Sequence, residues 1–246
     1  MLKAMVFIDF ENFDIAKYQY YKKKCFEDIT VKEGTEELSC ESIDTEYDSD
    51  LSCCVDGEAG VESEEVHSEK KIKVTVPKLD FNKLPKEVVA LLKQQHVLVK
   101  TFLFAPKPDE FLIRDERRSS VYNWINGMKN QDFFTVIEGR HVSRPVSGYN
   151  RDTMSLSNPS SYFVVEKGTD VNLASHVITK GLHNAFDTAI IMSGDTDYIP
   201  VMDILNSIGK SVVVVGVKGQ NLNVFKHHSD AQLILYDDFF QKCLLT

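Results

Sequence analysis

Two places in the chain repeat one pattern, a short apolar run that ends abruptly on a carboxylate. At 189–192, Ala-Ile-Ile-Met leads straight into Ser193-Gly194-Asp195-Thr196-Asp197. At 5–8, Met-Val-Phe-Ile leads into Asp9-Phe10-Glu11-Asn12. Apolar runs without alternation fit strands buried on both faces, as parallel sheets require. In open α/β sheets ligands bind beyond the carboxyl ends of the strands. Asp9 and Asp195 are therefore aimed at the usual place for chemistry, and the sheet can make them neighbours despite their separation in sequence.

The rest of the chain alternates in the same way. A helix is predicted from Asp14 to Lys24, and Val88, Leu91 and Leu92 give a second helix one apolar face. His96–Ala105 reads as a strand stopped by Pro106 and Pro108, followed by a helical stretch from Asp109 to Gln131 and a strand at 133–137. After a polar loop at 144–161 comes a strand from Tyr162, then a helix opened by Thr169 or Asp170. Val201, Ile204, Leu205 and Ile208 mark another helix, and 211–215 another strand. A helix near Leu222–Asp230 and a strand at 232–236 close the pattern. Strands alternating with helices predict an α/β fold, a three-layer α/β/α sandwich with a mainly parallel central sheet in a single domain.

Residues 33–69 break the pattern. They hold fourteen Asp or Glu and no Lys or Arg, so the rest of the chain has 23 acids against 28 bases. The net charge of −9 thus belongs to one segment, and the remainder is mildly basic. Its low hydrophobicity cannot repay chain ordering, so a disordered acidic insertion is expected there. No run of eighteen apolar residues is present, and no membrane partner is expected. Five cysteines without a CxxC pair or a secretory signal point to reduced thiols and a cytoplasmic setting.

Several chemistries lack their signatures. There is no GxGxxG after the first strand, no GxxxxGK[ST], no GxSxG and no HExxH. What remains is a set of acids at strand tips and helix starts: Asp9, Asp170, Asp195 and Asp197. Each has a plain alternative role, since Asp after a strand caps the next helix and an acid suits a helix's first turn. As a group they are hard oxygen ligands that select Mg²⁺ or Mn²⁺, the ions that serve phosphoryl chemistry. Lys167 beside Asp170 could reach a phosphate. Arg114, Arg117, Arg118 and Lys129, near Tyr122 and Trp124, are candidate nucleic-acid contacts, the alternative being a solvated helix with Trp124 in the core.

Three motifs together, Phe7-Ile8-Asp9-Phe10-Glu11-Asn12, Lys167-Gly168-Thr169-Asp170-Val171-Asn172 and Ser193-Gly194-Asp195-Thr196-Asp197-Tyr198, resemble the NYN domains of the PIN-like nuclease superfamily, in the LabA branch. The resemblance implies a metal-dependent ribonuclease that hydrolyses phosphodiester bonds of single-stranded RNA by a metal-activated water. Asp9, Asp170, Asp195 and Asp197 would hold Mg²⁺ or Mn²⁺, Asn12 would order the site or contact substrate, and Ser193 would sit beside the metal or a phosphate. Many relatives place a further Asp where this chain has His176. His176 could ligate in its place, or its presence could mark a module that binds RNA or protein without cutting. Whether the chain pairs with a second copy or a protein partner stays open. An aspartyl phosphatase of the haloacid dehalogenase type is a weaker alternative, because Glu11 and Phe13 stand where its acid and threonine belong.

Overall fold

The computed structural model describes residues 1–33 and 74–245. Beyond Glu33, the acidic insertion expected at 33–69 lies outside the described residues, together with Cys40, Cys53 and Cys54. Seven strands among the described residues form one sheet: β1 (Leu2–Asp9), β2 (His96–Pro108), β3 (Phe134–Pro145), β4 (Tyr162–Lys167), β5 (Thr188–Met192), β6 (Ser211–Val217) and β7 (Ala231–Leu235). Their order is β4-β3-β2-β1-β5-β6-β7. Every pairing is parallel except β3 with β4.

Among the described residues, six α-helices cover the sheet: α1 (Phe10–Glu33), α2 (Leu84–Ala90), α3 (Glu116–Gly127), α4 (Thr169–Leu182), α5 (Ile199–Ser207) and α6 (Asp237–Lys242). Side chains alternate across a strand, so one strand feeds two cores. Val6 and Ile8 of β1 pack with Phe13, Leu84, Val88, Ile125 and Phe240, from α1, α2, α3 and α6. Phe7, between them in sequence, packs with Leu173 and Val177 of α4 and Val201 and Leu205 of α5. This is the three-layer α/β sandwich the alternating pattern predicts.

Several elements differ from the sequence reading, beginning with β2, which runs through Pro106 to Pro108 where the prolines are expected to stop it. The helix expected near Leu222–Asp230 is only a 3-10 turn at Leu222–Phe225, capped by Asn221. The stretch 109–131 divides into α3 and two flanking 3-10 turns, because Asp115 accepts from the backbone of Arg117 and Arg118 and starts a new helix. The loop expected from Arg144 starts later, since β3 runs to Pro145. No helix among the described residues is long and apolar enough to cross a membrane.

Two features of the sheet position the site. The chain leaves β1 towards β2 on one side and returns to β5 on the other, so the tips of β1 and β5 flank the crevice where strand order reverses. On the β2 side the sheet does not stop at that crevice. Asp9 pairs with Phe104, and Phe104 with Ile137, yet β2 continues to Pro108 and β3 to Pro145. The antiparallel β4 lies along this overhang, with Lys167 opposite Arg140 and Tyr162 opposite Pro145. The result is a three-stranded wall standing beyond the strand tips on one flank.

Candidate active site

Asp9 is the last residue of β1 and only 4% exposed. The register that sets Ile8 against Met192 brings it level with Ser193, the first residue after β5. Ser193, itself buried, donates its hydroxyl to Oδ2 of Asp9 at 3.1 Å and accepts from the backbone N–H of Asp195 at 3.2 Å. The backbone N–H of Asn12 donates to Oδ1 of Asp9 at 3.3 Å. Oδ1 of Asn12 in turn accepts from the N–H of Gly194 at 2.8 Å and from Gln220 Nε2 at 3.2 Å. One carboxamide thus ties the start of α1 to the turn after β5 and to the loop after β6. A Cβ at Gly194 would meet the end of the Gln220 side chain, which would have to shift and give up its bond to Asn12.

Asp195 does act as a cap: its Oδ1 accepts from the N–H of Asp197 at 2.9 Å and opens the 3-10 turn Thr196–Tyr198. That turn buries Tyr198 and delivers its hydroxyl to the carboxylates. The hydroxyl donates to Oδ1 of Asp170 at 2.8 Å and lies 3.3 Å from Oδ2 of Asp9. A phenol carries one proton, so it bonds Asp170, and Asp9 when protonated can donate back. Burial and the charges of Asp9 and Asp170 push the Tyr198 phenol well above its ordinary range, which keeps that proton in place.

Asp170 stands in the first turn of α4. Gly168, at a φ of 86°, turns the chain from β4 into the helix in a conformation that favours glycine. The start of α4 also touches β3 at Gly139, where a Cβ would strike the Thr169 hydroxyl and meet its backbone nitrogen at 3.0 Å.

The electrostatics of the cluster are unbalanced. Burial pushes the Asp9 carboxyl up to about 7, reinforced by the charges of Glu166 and Asp170 and opposed by its Asn12 and Ser193 donors. Among the described residues, no Lys or Arg forms an ion pair with Asp9, Asp170, Asp195 or Asp197. A buried carboxylate without a compensating cation favours its neutral form.

Beside Asp9 lies a second buried group that sequence reasoning missed. Glu11, at the start of α1, approaches His141 of β3, with Oε1 2.6 Å from Nε2 but neither atom in a well-aligned hydrogen bond. Glu11 also bonds Glu166 of β4. Burial raises Glu11 to about 7. Burial and the neighbouring Glu11 raise Glu166 to about 8. Burial lowers His141 to about 4, so the imidazole is neutral at neutral pH and the contact is not an ion pair. Only the alternation of β4 hints at this role, since it turns Glu166 to the face opposite the exposed Lys167. Nothing in the local sequence of His141 singles it out.

The structure brings Asp9, Asp170, Asp195, Asn12 and Ser193 together, with Asp197 exposed at the rim. His176 is set apart: its ring packs against Phe102 and Phe104, with centroids at 6.0 and 5.8 Å, in the layer between α4 and the sheet. Burial lowers its pKa further. Arg118 is corrected as a nucleic-acid contact, because it is 4% exposed and shares the interior with Glu11 and His141. Lys129 is paired with Glu138 at 2.6 Å. Arg117 is exposed on α3, and Arg114 and Lys167 are exposed near the wall. Among the described residues, no three His, Cys, Asp or Glu side chains are gathered closely enough to form a ready coordination sphere.

Comparison with known proteins agrees with the motifs. The model of the NYN domain matches residues 123–237. No curated protein matches the chain. Among solved structures, a protein of unknown function from Vibrio parahaemolyticus aligns over 99% of this chain and 96% of its own, at 15% identity and a TM-score of 0.43. The match to the family model runs from α3 to the end of β7 and leaves Asp9 and Asn12 outside it. The segment that matches the NYN domain model supplies Asp170, Asp195 and Asp197, and that match is consistent with an NYN/PIN-like nuclease domain.

Proposed function

We propose that the protein is a metal-dependent ribonuclease that hydrolyses phosphodiester bonds of single-stranded RNA. The observation that carries this reading is Asp9, a buried carboxylate at a strand tip that shares the Tyr198 hydroxyl with Asp170 and has no basic partner among the described residues. The donors are all hard oxygens, which suits Mg²⁺ or Mn²⁺ and not zinc. Asp9, Asp170 and Asp195 would hold the ion, with Asp197 at the rim. When bound, it would neutralise charge on the phosphate and acidify water.

The chain's own residues do the positioning. Ser193 and the Asn12 backbone fix the Asp9 carboxylate, Tyr198 fixes Asp170, and the 3-10 turn fixes Asp195. Lys167, exposed three residues before Asp170, would meet a phosphate in this reading.

The test is cleavage of a labelled single-stranded RNA with Mg²⁺ or Mn²⁺, with EDTA and Asp195→Asn as controls. Metal-dependent cutting lost in the variant is the expected result, and equal cutting by parent and variant would sink the assignment. A second reading, a non-catalytic binding module on the same fold, is favoured by one observation: the Tyr198 hydroxyl occupies the space between Asp9 and Asp170, and no coordination sphere is preassembled among the described residues. It predicts RNA binding without cleavage under any divalent ion.

A further inference from the structure

The register of the wall places three cations side by side. Lys107 of β2 pairs with Arg140 of β3, and Arg140 pairs with Lys167 of β4. Paired residues project to the same face of a sheet, so the three form a row across adjacent strands. All three are exposed. None forms an ion pair among the described residues. Like charges directly opposite one another weaken a sheet; Lys107 is partly compensated, over the Tyr122 ring at 5.9 Å and near the Glu138 carboxylate.

The row opens into a cleft of about 620 Å³ lined by Lys107 and Arg140 together with Arg114 and Arg151. Two acids also line it, Asp109 and Glu110. The Asp109 carboxylate is occupied by the backbone N–H groups of Phe111, Leu112 and Ser143 and by the Ser143 hydroxyl. The cleft is therefore net cationic in a chain whose total charge is −9. An aromatic side chain shares the face. Arg144 pairs with Phe163 further along β3 and β4, four residues from Arg140 and from Lys167 respectively, and Phe163 is 45% exposed.

We propose that this face of the β2–β3–β4 wall, Lys107, Arg140, Lys167, Arg114 and Arg151 with Phe163, is a track for the phosphates and one stacked base of single-stranded RNA. The proposal deepens the nuclease reading and rests on it for the identity of the strand. The chemistry is that of a single-strand groove, in which cations follow the backbone and a sequence-tolerant aromatic platform takes a base. The row ends at Lys167, three residues before Asp170, so the track and the carboxylates share the junction of β4 with α4. Arg140, Lys107, Arg151 and Phe163 receive a role by this assignment that their sequence surroundings do not suggest.

The experiment measures binding separately from cutting. A fluorescein-labelled oligouridylate is titrated with Asp195→Asn protein in EDTA, and anisotropy is followed over a range of salt. Adding Lys107→Ala with Arg140→Ala should weaken binding by about tenfold at low salt and lower the slope of log K against log salt by about 1.4, or about 0.7 for each phosphate contact on a single strand. Adding Phe163→Ala should weaken binding with no change in slope. Lys86→Ala with Lys93→Ala, which removes equal charge near the amino ends of the strands, should change neither quantity. An unaltered slope in the double variant overturns the track, even if the parent protein cuts RNA. An equal loss in the control pair also overturns it, because general charge would then explain the binding. Failure of the parent chain to bind the oligonucleotide overturns it as well. Track-dependent binding with no metal-dependent cleavage would keep the track and retire the nuclease.

Discussion

The Tyr198 hydroxyl donates to Asp170 at 2.8 Å while lying 3.3 Å from Asp9, so a single phenol joins a strand tip to a helix start 161 positions away in sequence. Tyr198→Phe removes the hydroxyl that joins these two elements and leaves both carboxylates less satisfied. The loss should be about 1–2 kcal/mol of stability at neutral pH without metal. A bound divalent ion would take over the neutralisation, so the difference should shrink when Mn²⁺ is added. Urea unfolding of both proteins with and without Mn²⁺ measures this, and an equal difference in the two conditions would count against an ion between these carboxylates.

Stability should depend on pH in a direction set by the buried acids. Asp9, Glu11 and Glu166 have folded-state values of about 7, 7 and 8, above their ordinary values of 3.8, 4.5 and 4.5. Where the folded protein binds more protons than the unfolded chain, stability falls as pH rises. These three groups therefore contribute most below pH 4, and their contribution is lost as pH climbs through 7 to 8. For a chain of this size each kcal/mol moves Tm by roughly 2–4 °C. Metal-free protein should lose several degrees between pH 5 and pH 8 by about this scale, and Mn²⁺ should restore more at pH 8 than at pH 5. Thermal unfolding at the two pH values tests the sign.

Asp195→Asn separates capping from chemistry. Asn and Asp are nearly equal as caps, so the 3-10 turn should persist and stability should stay within about 0.5 kcal/mol. Cleavage should fall by at least about 100-fold, the upper end of what is lost when a metal's supporting groups are removed. A variant that unfolds readily would show that the cap matters more than the charge.

Gly139→Ala should move Asp170 without touching it. The added methyl would strike Thr169, including its backbone nitrogen, so α4 must shift at its first turn. Overpacking of this kind costs about 1–3 kcal/mol. Cleavage should drop further than Tm alone suggests, and a metal titration of activity should show weakened affinity. Unchanged metal dependence would mean that the position of Asp170 is not critical.

How far the sequence reveals all this differs from residue to residue. The parallel sheet and its layers were legible because Met5–Ile8 and Ala189–Met192 are apolar without interruption and the intervening helices show one apolar face. The convergence of Asp9, Ser193 and Asp195 followed from the same strand-tip logic. The buried group of Glu11, His141 and Glu166 was not legible, because three elements contribute one residue each and no spacing links them. Arg118 misled for a similar reason. An arginine in a charged helix reads as solvated until tertiary packing turns it inward. His176 six positions after Asp170 lies about 240° further round the helix, which places it against Phe102 and Phe104 and not beside the acid. The row of Lys107, Arg140 and Lys167 depends on strand register, which no single segment encodes.

The overhang of β2, β3 and β4 has a consequence for how such a chain can vary. Its outer residues have no partner in β1, so the central core does not fix its length. Adding or removing two residues in both β3 and β4 preserves which side chains face which way, and moves the tip by about 6.6 Å. The reach of the molecule beyond its carboxylates can thus be lengthened or trimmed in discrete steps, like a ruler, while the chemistry at its base stays where it is.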